Sequence, residues 1–224
     1  MDDGTDLHSQ LRKHAEEEHQ WRITSSQAVA ESRGASVILL AGLVAHSRNL
    51  GRNFVEAEYG PAKSENDPVF YVLMHLHANA MLAASEVVAL LESGYAGGAF
   101  ARWRTLFESM VYASFIGKHG AAVAERYVKH AHIKDAEDHS PVDRTLKNLG
   151  ALSFSDDDNR MIEELKEKLL HKFGNEFKEP LGWAKASLSK KNRLTINDLC
   201  RDLGLADYEM FQSLSSHHIH PTWK

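Results

Sequence analysis

The sequence has little cysteine, little proline and no excess of positive charge. Cys200 is the one cysteine in 224 residues, so no disulfide can close within the chain. That fits a reducing compartment, and a cytoplasmic protein is expected. The five prolines, Pro61, Pro68, Pro141, Pro180 and Pro221, leave long stretches free for regular structure. Alternating runs bounded by turn residues are missing, which argues against a sheet. Lys and Arg total 26 against 31 Asp and Glu, a net charge of −5. Any contact with nucleic acid or anionic lipid must therefore use a local patch. The opening MDDGTDLHSQLRKH lacks the apolar core of a signal peptide. The longest apolar run, ASVILLAGLVA from Ala35 to Ala45, falls short of the ~20 residues that cross a bilayer. It is expected to be a buried core helix, and no membrane partner is expected.

What remains is helix-forming sequence. Hydrophobic residues make up 43% and charged residues 25%, close to globular averages. The pattern predicts an all-α bundle. A polar helix is expected from about 6 to 32, and a largely apolar one from about 35 to 58, ended by Gly60-Pro61. A central antiparallel hairpin is expected from helices at about 70–93 and 98–118, with Gly94 as the C-cap glycine of the first. A further helix over about 121–138 should stop at Ser140-Pro141. Ser155, ahead of Asp156-Asp157-Asp158, and Thr195 read as N-caps. A last short helix is expected to end near His220-Pro221. The chain is read as one domain in three parts: a polar arm (1–33), a helical core (34–140) and a more irregular helical extension (141–224).

The helix over 98–118 is the informative one. It is apolar nearly all round, which marks a central helix. Yet it carries Arg102, Arg104 and Glu108. Buried charges cost several kcal/mol each unless paired. Arg104 and Glu108 are four apart and share a face. Either they form an internal ion pair, or Arg102 and Arg104 are available to hold an anion such as a phosphate, which a planar guanidinium suits. On the preceding helix His75, Asn79 and Glu86 share one flank, with His77 on the other. Glu86 and His77 are candidate supports for such a site. The next helix offers Arg126, His130 and His132. The chain holds 14 histidines, and this residue titrates near neutral pH and ligates metals. Dimetal helical bundles use a paired Glu-x-x-His motif, and none is present on these helices, so no metal or other cofactor is expected. His217, His218 and His220 cluster near the C-terminus.

The stretch ASEVVALLESGYAGGAFARWRTLFESMVYASFIGKHGAAVAERYVKH resembles a bacterial all-helical family, the domain of unknown function five-six-seven-seven. There, a helix ends in Gly, a short turn follows, an Arg-x-x-x-Glu helix comes next, and Glu-Arg-Tyr opens another. The likeness extends to Gly182-Trp183, Tyr208, Ser216 and His220-Pro221, over roughly residues 70 to 224. A looser similarity is to HEPN-type helical nucleases, which carry Arg, four to six residues, then His, and usually act as dimers. Arg126-Tyr-Val-Lys-His-Ala-His132 meets that spacing. Tyr127 departs from it, since that place is more often small and polar, and so does the motif's position in mid-chain.

What this second resemblance implies is a metal-independent endoribonuclease of toxin or antiphage type. Histidine would move the protons and arginine would stabilise the phosphorane charge. Arg126, His132, His220, Arg104 and Glu108 are the expected catalytic residues, Arg102 and Arg104 the anion holders, and His77, Glu86 and His130 their supports. RNA, a second copy and a partner protein from the same system are the expected partners. Two alternatives stand beside it: a non-catalytic helical interaction module of a bacterial defence system, and an anion- or nucleotide-binding sensor.

Overall fold

The computed structural model describes residues 7–151, 153–188 and 193–208. Among them it shows six α-helices and no strand: α1 (Leu7–Glu65), α2 (Pro68–Glu92), α3 (Ala96–His119), α4 (Ala121–Asn148), α5 (Asp156–Phe173) and α6 (Ile196–Asp202). Short 3-10 turns lie at Asn175–Lys178, Lys185–Ser187 and Ala206–Tyr208. The all-helical expectation therefore holds.

Two boundaries differ from expectation, and both involve proline. The two N-terminal helices are one helix of 59 residues, with Pro61 inside its final turns. The helix expected to stop at Ser140-Pro141 runs on to Asn148. Proline removes one backbone donor and pushes on the preceding turn, but a helix continues past it where packing and capping beyond reward continuation. In α4 that reward is visible. Asp143, buried two residues beyond Pro141, accepts the Phe154 amide at 3.1 Å and the Lys147 ammonium at 2.6 Å. These bonds hold its carboxyl below the ordinary range, the one from Lys147 foremost.

The chain divides into two compact units. The described part of the first comprises residues 7–57 and 77–110 with Tyr208. In it, the end of α2 and the start of α3 form the expected antiparallel hairpin. Gly94 turns the chain with φ of 82°, a conformation glycine adopts without penalty. A Cβ there would also come within 3.3 Å of Ser25 on α1. Trp21 on α1 meets Tyr95 in the same turn, ring centroids 5.9 Å apart. Farther along, Gly51 of α1 packs directly on the His77 ring, where a Cβ would lie 2.1 Å from Nε2. That Nε2 is buried and without a hydrogen-bond partner.

The run from Ala35 to Ala45 is not buried as expected. Val37 and Val44 face inward, while Ile38, Leu39 and Leu43 are exposed. The reason is angular. One helix packed on one side can bury only a stripe, and this run is apolar around its whole circumference. By length and composition, α1 and α2 each hold a segment apolar enough to cross a membrane; in α1 only 6% of that segment is buried, in α2 33%.

The second unit comprises residues 58–76 and 111–207. Its core is the end of α3 (Val111, Phe115, Ile116), α4 (Val123, Ala124, Ile133) and the segment Phe177, Leu181, Trp183, Ala184, all buried. Trp183 receives the edges or faces of Tyr112, Phe115 and Tyr127 at 5.0–5.8 Å. As expected, Ser155 caps α5: it accepts from the Asp158 amide at 3.1 Å, and Asp158 returns a bond to the Ser155 amide at 3.2 Å. Thr195 starts α6 in the same way with Asp198.

Candidate functional site

Two polar clusters carry the arginines that the sequence singles out. The first lies in the first unit, on α2 and α3. Arg102 Nε donates to Glu86 Oε2 across the hairpin. Arg104 Nε donates to Glu108 Oε1 at 2.8 Å, one turn along α3. The side chains are 36% and 40% exposed in the first pair, and 31% and 30% in the second. They are neither sealed inside nor out in bulk water. Side chains two residues apart on a helix point roughly 200° apart. Arg102 thus reaches across to Glu86 on α2, while Arg104 bonds Glu108 along its own helix. Nearby, Phe100, Trp103 and Phe107 stack in sequence at 5.8 and 5.4 Å. Tyr208 lies 6.5 Å from Phe107.

The second cluster lies in the second unit. Arg126 donates from Nε to the Trp183 carbonyl and from one terminal nitrogen to the Gly182 carbonyl, both at 3.0 Å. Its guanidinium lies over Phe173 and Phe177, at 4.7 and 5.0 Å from the ring centroids. Burial lowers its pKa. One turn on, buried His130 donates from Nε2 to the Glu179 carbonyl at 2.8 Å. Its ring meets Phe177 edge-on. Burial pushes its pKa down, against the hydrogen bond to Glu179, which pulls it up. Arg126 and His130 thus act together, because residues four apart share a helix face. They fasten the segment from Phe177 to Trp183, adding side-chain bonds to the Glu179 and Gly182 carbonyls, which also accept the Gly182 and Lys185 amides, and to the Trp183 carbonyl.

His132 is not part of this group. Six residues from Arg126, it projects from another side of α4, is half exposed, and lies 4.0 Å from Asp135. The Arg-x5-His spacing therefore does not bring its two residues together. His220, with His217 and His218, lies outside the described residues. Among those described, no group of three or more His, Cys, Asp or Glu is placed to hold a metal.

A model of a protein family matches residues 70–224. The chain belongs to the family of unknown function DUF5677. No curated protein and no solved structure matches the chain. The DUF5677 match begins two residues into α2, so both arginine clusters lie within it and α1 lies before it.

The sequence reading missed what Arg126 holds. The conspicuous pair Gly182-Trp183 was the available signal. A Cβ on Gly182 would lie 2.5 Å from the carbonyl oxygens of both Glu176 and Phe177, so only glycine fits where the backbone folds onto itself. It also missed Asp202, which accepts from Lys118 at 3.0 Å and bonds His119 at 2.8 Å. Burial pushes that carboxyl up, but these two bonds outweigh it and hold it below its ordinary value.

Proposed function

We infer that this chain is a non-catalytic helical interaction module that works through the exposed face of α1. The observation that carries this reading is apolar surface left open on a long helix. Ile38, Leu39, Leu43, Leu50 and Phe54 are 74%, 67%, 56%, 55% and 48% exposed. Leu39, Leu43, Leu50 and Phe54 share one side of the helix by position, with Ile38 on another, and exposed apolar surface of this kind on a folded protein marks a place that another molecule covers. The second cluster supports the same reading. Arg126 and His130 engage backbone carbonyls, which is work of folding rather than of chemistry. The test combines two measurements on the full chain. Leu43→Glu should abolish assembly while leaving the helical circular dichroism unchanged. Incubation with single-stranded RNA should give no cleavage above that of Arg104→Ala. Arg104-dependent cleavage by a folded wild-type protein would sink the reading.

A second reading, metal-independent RNA cleavage, draws support from the first cluster. The Arg104–Glu108 pair is partly open to solvent. Tyr208, whose ring packs on Phe107, is followed in sequence by the segment holding His217, His218 and His220. In this reading His220 and Arg104 supply proton transfer and charge stabilisation. It expects cleavage products with 2′,3′-cyclic phosphate ends, lost in His220→Ala with folding intact. The absence of such products would retire it.

A further inference from the structure

We propose that α4 and the segment 177–183 form a pH-sensitive clasp, in which protonation of His130 loosens the segment from the helix. It is independent of the exposed side of α1. Three basic side chains in one row of α4 hold the segment. Arg126, His130 and Lys134 stand four residues apart, so they follow one another along the same face. Their acceptors run the other way along the chain. Arg126 bonds the Trp183 and Gly182 carbonyls, His130 the Glu179 carbonyl, and Lys134 the Lys178 carbonyl at 3.3 Å. The segment is thus laid antiparallel on the helix and held at three successive points. Arginine and lysine keep their charge at any pH near neutral. Histidine, the middle point, is the one that titrates there.

A carbonyl only accepts, so neutral His130 keeps its proton on Nε2, and acid adds the second one at Nδ1. That charge arrives on a ring 6% exposed, with Phe177 edge-on against it. Among the described residues no carboxylate is ion-paired with it. On α4, Arg126 and Lys134 repel the new charge and Glu137 attracts it, but Glu137 already pairs with Lys134. On the segment, Glu176 and Glu179 lie 3.3 and 3.9 Å from the Lys185 ammonium, and Lys178 adds a cation. The end of α5 brings His171 and Lys172, with no acid after Glu167. Like charges four apart on a helix destabilise it, and here a third cation would enter between two. Burial foremost, with Lys134 and Arg126, holds the pKa of His130 down against the Glu179 bond and Glu137.

Between that lowered value and the ordinary one of about 6.5, a released ring takes a proton that the clasped ring does not. Each fall in pH over this interval therefore raises the population of the released segment. A row of three fixed cations would hold the carbonyls without responding to pH, and so would a neutral amide donor at the middle position.

The experiment is amide hydrogen exchange on the full chain at pH 7.5 and pH 5, corrected for the intrinsic pH dependence of exchange. Over residues 177–183 the corrected rate should rise at pH 5 by more than about threefold and by no more than about thirtyfold. The upper figure is the limit for a group of ordinary pKa about 6.5 that is protonated only when released. Residues 111–117, in the same unit, should not change. His130→Gln keeps a donor for the Glu179 carbonyl and carries no charge, so its exchange over 177–183 should be the same at both pH values. Lys134→Gln removes one flanking cation and should lose at least half of the acid response, which keeps the test open even where His130→Gln does not fold. A wild type whose corrected exchange over 177–183 ignores pH overturns the clasp. So does an acid response as large in either variant as in the wild type. An equal rise over 111–117 overturns it too, since the whole unit would then be unfolding rather than releasing one segment.

Discussion

Replacing Arg126 by Met tests whether this arginine is a fastener. Methionine keeps much of the apolar stem and removes every donor. Two hydrogen bonds to the Gly182 and Trp183 carbonyls disappear. Hydrogen bonds to charged groups contribute about 1.5–3 kcal/mol each. The stacking on Phe173 and Phe177 adds about 0.5–2 kcal/mol. Opposing this, the guanidinium no longer has to be held out of water, a burden visible in its lowered pKa and worth up to several kcal/mol for a buried ion. Arg126 is only partly buried, so that relief is the smaller part. The net loss should be about 2–4 kcal/mol. With a slope of about 1–3 kcal/mol per molar urea, the midpoint should fall by roughly 1–2 M. Two compact units need not unfold together, so the decisive readout is local. Amide exchange across residues 175–188 should accelerate by at least tenfold, while that of residues 77–110 stays unchanged. Unaltered exchange over 175–188 in a folded Arg126→Met protein would refute the fastening argument. It would also return Arg126 to the list of groups available for chemistry.

Gly51→Ala places a methyl on the His77 ring and should destabilise the first unit by about 1–3 kcal/mol, the usual cost of overpacking. His77→Ala in the same chain should recover most of that loss in a urea titration, because it removes the clashing ring. His130 predicts an acid-side loss of stability. Burial holds its folded pKa below the ordinary value, so between that value and about 6.5 the unfolded chain binds more protons than the folded one. Its contribution is fully present above about pH 6.5 and is lost as pH falls below it. Denaturation midpoints measured from pH 7.5 to pH 5 should show this slope, and His130→Gln should flatten it. An equal slope in the variant would show that another group is responsible.

Local order was legible in the residues themselves. Helix formers without strand patterns gave an all-α chain. Gly94, Ser155 and Thr195 marked helix ends because caps act through bonds to residues only a turn away. Prolines misled for the same reason turned around. Pro61 and Pro141 disfavour helix locally, yet α1 and α4 continue through them, and the bonds that Asp143 makes to Lys147 and Phe154 are tertiary in part.

The sequence by itself determined the composition of each helix and which side chains share a face, since 3.6 residues per turn is a property of the backbone alone. It thereby made Arg104–Glu108 and Arg126–His130 pairs of neighbours. Only the tertiary structure decided what each pair meets. Arg126 and His130 could have faced solvent or a substrate, and they face the carbonyls of a folded-back segment some fifty residues away. The apolar run of α1 could have been a core, and packing on one side leaves Ile38, Leu39 and Leu43 outward. Helical periodicity says which residues go together; burial depends on what the rest of the chain brings to them.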